Sequence, residues 1–262
     1  MYSGFLQAHR RAVELCGLTP ERRADRAHGL HLFEHKLAEA ESELLRAQVE
    51  SPESPEVYVR LTMLYVSQGR LDDALNILMR ARTAHSLWPT VPANEILVRF
   101  FRREFDSAVA CGKKALELHP YLYLGHLFYG ESLEQSGKTT QALEQYRLAV
   151  IMSPDLPWLQ AVEGACLARH GRRKEAMAIL TELMQIRKTH YVDAYFMAVL
   201  LQALGDPDQA FQELERAYHE KSPALFAMSV DPRLDNLRQD PRFANLVGRI
   251  FPAKEEPHAV SA

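Results

Sequence analysis

The sequence predicts an all-α solenoid of about six repeats, closed at its C-terminal end by a helical cap. Three observations predict it. Ala40, Ala74, Ala108, Ala142, Ala176, Ala210 and Ala244 stand 34 residues apart, a period that marks a repeat array. Most of these alanines bring companions at fixed offsets. A large residue follows four later (Leu44, Leu78, Tyr146, Leu180, Leu214), and a second Ala three after that (Ala47, Ala81, Ala115, Ala149, Ala217). That spacing puts all three on one face of a helix. Lastly, Pro52, Pro120 and Pro154 punctuate the units, because Pro cannot continue a helix. Stacked units of this kind share one elongated core and are stabilised by their neighbours.

The best-formed copy carries Tyr129 and Gly130, Leu133 one turn on, Gly137 at a turn, then Ala142, Tyr146, Ala149 and Pro154. It resembles the tetratricopeptide repeat (TPR), a helix–turn–helix unit with small residues where its helices A and B cross. The resemblance covers most of the chain. It implies a right-handed TPR superhelix of about six helix–turn–helix repeats, with helix A of each unit lining the concave side.

Taken in order, residues 1–20 read as one helix, with Phe5, Leu6, Ala12, Val13 and Cys16 on one face and Gly17 and Pro20 ending it. It fills a B-helix slot with no A helix before it, as an N-terminal cap or, the reading we prefer, as the edge of a larger protein. The six repeats are assigned to 21–54, 55–88, 89–122, 123–156, 157–190 and 191–222. In the first, helix A is expected from Arg22 to His35 and helix B from Ala38 to Val49, with a linker at 51–55. The second has its turn at Gly69, where a left-handed backbone is needed. The third diverges most: Ile96 replaces a small residue, Arg103 replaces the turn Gly, and Gly112 stands where a large residue is usual. A shifted or bent helix A is expected there. The fifth lacks the second Ala (Leu183) and the terminal Pro (Lys188). The sixth turns at Gly205-Asp206-Pro207-Asp208, a helix-ending Gly, a capping Asp and a first-turn Pro.

From 223 to 251 the pattern changes. Asp231-Pro232 and Asp240-Pro241 each read as an N-cap followed by Pro at the first helical position. Two short helices closing the open end of the solenoid are expected. Residues 252–262 are polar and expected to be disordered. Residues 190–222 together with the Asp-Pro-Arg pairs at 231–233 and 240–242 look like the C-terminal end of TPR arrays in bacterial multidomain regulators. Those arrays follow an N-terminal winged-helix, kinase or nucleotide-cyclase domain, none of which is visible here. The likeness implies a regulatory setting, not nucleic-acid binding by this chain.

The net charge of −3 gives no bulk attraction to nucleic acid or membrane. Cys16, Cys111 and Cys166 are odd in number and far apart, which reads as free thiols in the cytoplasm. The N-terminus carries no apolar core of a signal peptide. Phosphate-loop, dinucleotide-binding, HExxH and GxSxG motifs are absent, and the sequence calls for no cofactor. Arg102-Arg103 and Arg172-Arg173-Lys174 read as solvated turns. His31-Leu32-Phe33-Glu34-His35 matches HxxEH, with His28 on the same face. On one helix the two histidines could share zinc with Glu34 as base, so a zinc-dependent hydrolase is the rival reading. A core histidine explains His31 better, since that position is Tyr65, Leu133, Leu167 and Leu201 in other units. We assign no catalytic residue and no metal ligand.

The remaining surface is the concave groove. The register places Arg26, Arg60, Met63, Asn94, Leu97, Phe101, Phe128, Glu131, Glu134, Gln135, Tyr195 and Gln202 along it. Apolar anchors beside a few polar groups suit a peptide or protein segment. The expected function is a non-enzymatic interaction scaffold, with homo-oligomeric self-association as a third reading.

Overall fold

The computed structural model describes residues 19–84 and 88–251; the expected leading helix, residue 19 onward excepted, and the expected tail lie outside them. Among the described residues, the first twelve helices follow one another as six pairs. They are α1 (Pro20–Leu32) with α2 (Leu37–Glu50), α3 (Pro55–Ser67) with α4 (Leu71–Ala84), and α5 (Thr90–Phe101) with α6 (Phe105–Leu118). Then come α7 (Tyr123–Gln135) with α8 (Thr139–Met152), α9 (Trp158–Arg169) with α10 (Arg173–Ile186), and α11 (Ala194–Ala203) with α12 (Pro207–Glu220). Of these twelve, the odd-numbered helices are helix A of each unit. Every A helix packs on its own B helix, and each from α3 onward also packs on the B helix before it, the nearest-neighbour stacking of a solenoid. No strand occurs among the described residues.

The turns repeat with the helices. Positive φ occurs at His35, Gly69, Arg103, Gly137, Gly171 and Gly205, each 34 residues from the next. After it the backbone N–H of Arg70 reaches Tyr65 O at 2.8 Å and that of Lys138 reaches Leu133 O at 2.9 Å, which satisfies carbonyls left open by the helix end. Glycine takes this conformation freely. His35 (φ 55°) and Arg103 (φ 61°) take it with a Cβ, at a cost of about 1 kcal/mol each.

Ala40, Ala74, Ala108, Ala142, Ala176 and Ala210 are all fully buried at the helix crossings. A Cβ on Gly130 would lie 2.8 Å from Tyr146 Cε1 and 3.3 Å from Ala142 O, so backbone and ring meet there without slack. Ala142→Leu should therefore lower unfolding free energy by about 1–3 kcal/mol, read from thermal melts. The seventh alanine of the register, Ala244, is exposed. Its helix, α13 (Pro241–Ile250), has no α-helical A partner to press against.

The divergent third unit keeps α5 unbroken and in register with α3, without the expected shift. The bulk has been exchanged between the two helices. Ile96 is buried against Ala108 and Ala115, and Tyr129 of the next unit covers Gly112, where a Cβ would come within 2.4 Å of Tyr129 Cδ2.

The cap departs from expectation in its position. Two short 3-10 helices, Pro223–Ala227 and Pro232–Leu237, precede α13. The first packs on α1 and α3 and the second on α11, while α13 lies against the terminal helix α12. The main core has two bodies, one from residues 24–101 and one from residues 127–250. Phe226, Ala227 and Val230 join the first; Leu225, Met228, Leu234 and Leu237 join the second. Of the two expected capping helices, α13 lies on α12 at the open end, whereas the stretch before it, residues 222–238, does not. That stretch lies along the A helices and stitches the two halves together.

Candidate functional site

The HxxEH segment loses its helix. α1 ends at Leu32 and His35 sits in the left-handed turn, so His31 and His35 do not share a helical face as a zinc-peptidase helix requires. His31 is buried, with Nε2 2.5 Å from Ser67 Oγ. The Ser67 hydroxyl donates to Met63 O at 3.0 Å, so His31 Nε2–H is the donor between them. Burial, with His28 and His35 nearby, pulls the His31 pKa down to about 3. Burial and Arg60 pull His28 down to about 4. Glu34 pairs with Lys36 at 3.0 Å. His35 stacks on Tyr218 of the last unit, ring centroids 6.1 Å apart.

Glu134, Cys166 and His170 offer ligand atoms within 4.8 Å of one another. A cation is already there. Arg169 donates from Nε at 2.7 Å and from Nη2 at 2.9 Å to the two Glu134 oxygens, and Tyr146 O–H adds a bond of 2.9 Å. Burial raises the Cys166 thiol pKa well above its usual range, disfavouring the thiolate a metal needs. We read this group as a buried ion pair that ties α7 to α9.

The predicted groove residues divide by depth. Asn94, Leu97, Phe101, Glu131, Glu134 and Tyr195 are buried, Arg60, Met63, Phe128 and Gln202 are half-buried, and Arg26 and Gln135 are exposed. Arg60 pairs with Asp25 at 2.6 Å and Arg26 with Glu43 at 3.5 Å. Asn94 Nδ2 turns back to Thr90 O at 2.8 Å. Leu97 belongs to the N-terminal core, and Phe128 touches both main cores. Phe101, Glu131 and Tyr195 all meet the C-terminal segment.

Those three contacts make the centre of the site. Phe226 meets Phe101 edge-on, centroids 6.4 Å apart. Tyr195 O–H donates to Asp231 Oδ2 at 2.6 Å. Arg233 donates from Nε to Asp231 Oδ1 at 2.9 Å, from Nη2 to Asp231 Oδ2 at 2.6 Å, and from Nη1 to Glu131 Oε1. Its guanidinium also lies over the Phe196 ring at 5.6 Å. Arg103 and Asp235 add a two-bond pair at the rim, at 2.7 and 2.9 Å. Burial pushes the Glu131 pKa up to about 7 against the pull of Arg233, and Asp231 adds to the rise. Burial works the same way on Asp231, but Arg233 and Tyr195 hold it below the usual carboxylate range. Sequence reading placed Glu131 and Tyr195 at this face but missed Arg233 and Asp231. The available signal was two inward carboxylates on α7, Glu131 and Glu134, which call for two buried cations.

The family model described as tetratricopeptide repeat matches residues 194–216, covering α11 and most of α12. Among solved structures, the chain is similar to a tetratricopeptide repeat protein from Parabacteroides merdae ATCC 43184. Identity is 13%, 86% of this chain and 97% of that one are covered, and the TM-score is 0.61. It is also similar to a chain of the APC/C hetero-tetramer Cut9-Hcn1, at 14% identity, with 95% of this chain and 52% of that one covered and a TM-score of 0.62. The third is TTC0263, a thermophilic TPR protein of Thermus thermophilus, at 20% identity, 74% and 99% coverage and a TM-score of 0.54. A search of curated proteins finds no match. At these identities the likeness shows the fold, a TPR solenoid. No helix among the described residues is long and apolar enough to cross a membrane.

Proposed function

We propose that this chain, a solenoid of the tetratricopeptide-repeat fold, is a non-enzymatic protein-interaction scaffold that receives a peptide or protein segment against its A helices. One observation supports this most: the face already accommodates such a segment, the chain's own Ser222–Arg238. Phe226 is its aromatic anchor on Phe101, and Tyr195 and Glu131 fix its register through Asp231 and Arg233. Apolar anchors with a few convergent polar groups are how extended segments are recognised.

We place the scaffold in the cytoplasm, as the regulatory or sensory array of a bacterial signalling or transcription regulator. The likeness of residues 190–242 to the ends of such arrays supports that setting. A bound segment would shift a neighbouring domain's equilibrium in proportion to its differential affinity for the two states.

The test is photo-crosslinking in the source cell. Benzoylphenylalanine at Arg26 and at Gln135, both exposed on A helices, is compared with the same label at Val49 and Ile151, exposed on B helices. Partner adducts from the A-helix positions are expected. Adducts from the B-helix positions alone would contradict groove binding, and adducts only to a second copy would favour self-association.

A further inference from the structure

Resting on the groove-binding reading, we propose that the groove selects segments in which an aromatic anchor is followed five residues later by Asp and seven residues later by Arg, and that Phe226–Arg233 is the resident competitor for that ligand. The contacts define the pattern. Phe226 sets the aromatic position against Phe101 on α5. Five residues on, Asp231 is fully buried and takes the Tyr195 hydroxyl of α11. Seven residues on, Arg233 is buried between Asp231 and Glu131 of α7, a partner 102 residues away in sequence.

Discrimination follows from burial. A segment without the Arg leaves Glu131 buried and unpaired, and one without the Asp leaves the Tyr195 hydroxyl and the Arg short of partners. Sites built around buried polar groups reject ligands that leave them unsatisfied. Val230 and Ala227 add apolar contacts to the N-terminal core, which any small or β-branched residue there would supply. The resident segment is joined to α12 by the chain itself, so its effective concentration is of order mM. A free segment of equal intrinsic affinity is therefore held off until the resident one is weakened.

The test uses the intact chain and a fluorescein-labelled peptide of residues 222–240, followed by anisotropy. Against the wild-type chain, binding should be weak. Against a chain carrying Arg233→Ala, the same peptide should bind at least about tenfold more tightly, because the resident segment has lost its anchor. The gain should vanish when Glu131→Ala is added to that chain, and a peptide carrying Arg233→Ala should lose it too. Should circular dichroism show that the Arg233→Ala chain is unfolded, Phe226→Ala replaces it, since that change weakens the resident segment without stranding a buried charge. Peptide affinity equal to wild type in a folded variant, or equal binding of the altered peptide, overturns the proposal. Partner crosslinks at Arg26 and Gln135 of the Arg233→Ala chain that this peptide fails to compete would also overturn it, while leaving the scaffold reading intact.

Discussion

Asp231→Ala should lower the unfolding free energy by about 3–5 kcal/mol, the cost of removing one partner from a buried ion pair, and the melting temperature by roughly 10 °C. Asp231 is fully buried and carries four interactions at once. It accepts from Tyr195 O–H, from Arg233 Nε and Nη2, and from the Arg233 backbone N–H at 2.9 Å as the N-cap of its 3-10 turn. Alanine leaves Arg233 to Glu131 alone and strands the tyrosine hydroxyl. The second Asp-Pro-Arg copy is the control. Asp240 accepts from Arg242 N at 2.9 Å and Arg242 Nε at 3.0 Å in the same local geometry, but at the surface. Asp240→Ala should barely move the melt. Denaturant titration of both variants checks the contrast, and equal losses would mean that the motif acts locally.

Acid should destabilise the first unit through His31 and His28. An unfolded histidine takes up its proton near pH 6.5. In the folded chain His31 does so only at about 3 and His28 at about 4. The folded state binds fewer protons between those limits, so this stability is whole above pH 6.5 and is lost as pH falls toward the folded values. By pH 4.5 each group costs about 2–3 kcal/mol. Glu131 works in the opposite direction. Its folded pKa of about 7 lies above the ordinary glutamate value, so its contribution is full below the unfolded value near 4.3 and is lost as pH rises toward 7. The wild-type curve mixes these effects, and a variant isolates one of them. His31→Leu supplies the residue found at Leu133, Leu167 and Leu201. It gives up the Ser67 hydrogen bond, about 1 kcal/mol at pH 7, and should be more stable than wild type by about 2 kcal/mol at pH 4.5. Urea unfolding at the two pH values reads this directly, and parallel curves for the two chains would rule His31 out as the acid-labile group.

The repeat was legible because its constraints are local and steric. An alanine is needed wherever two helix backbones cross, and that need recurs with the unit. The turns were legible on the same ground, and one was overlooked. Stepping 34 residues back from Gly69 lands on His35, so the register itself placed His35 in the turn and broke the HxxEH helix. The third unit misled because Ile96 and Gly112 each break the pattern alone, whereas together they exchange volume between facing helices. The course of residues 222–238 was not legible. The Asp-Pro-Arg motif announces a capped turn but not the surface it meets, and nothing local links Arg233 to Glu131 or Asp235 to Arg103. A row of residues on the A helices was recoverable from register, but not that Phe101, Glu131 and Tyr195 among them meet the C-terminal segment.

The central claim is that residues 222–238 lie along the A helices and join the two cores. Benzoylphenylalanine at position 226 of the intact chain, followed by irradiation and peptide mapping, tests it most directly. Intramolecular adducts should fall within residues 20–101, on α1, α3 and α5, where Phe226 meets Phe101 and the N-terminal core. Adducts confined to residues 207–250 would contradict it and return the segment to the open end of the solenoid.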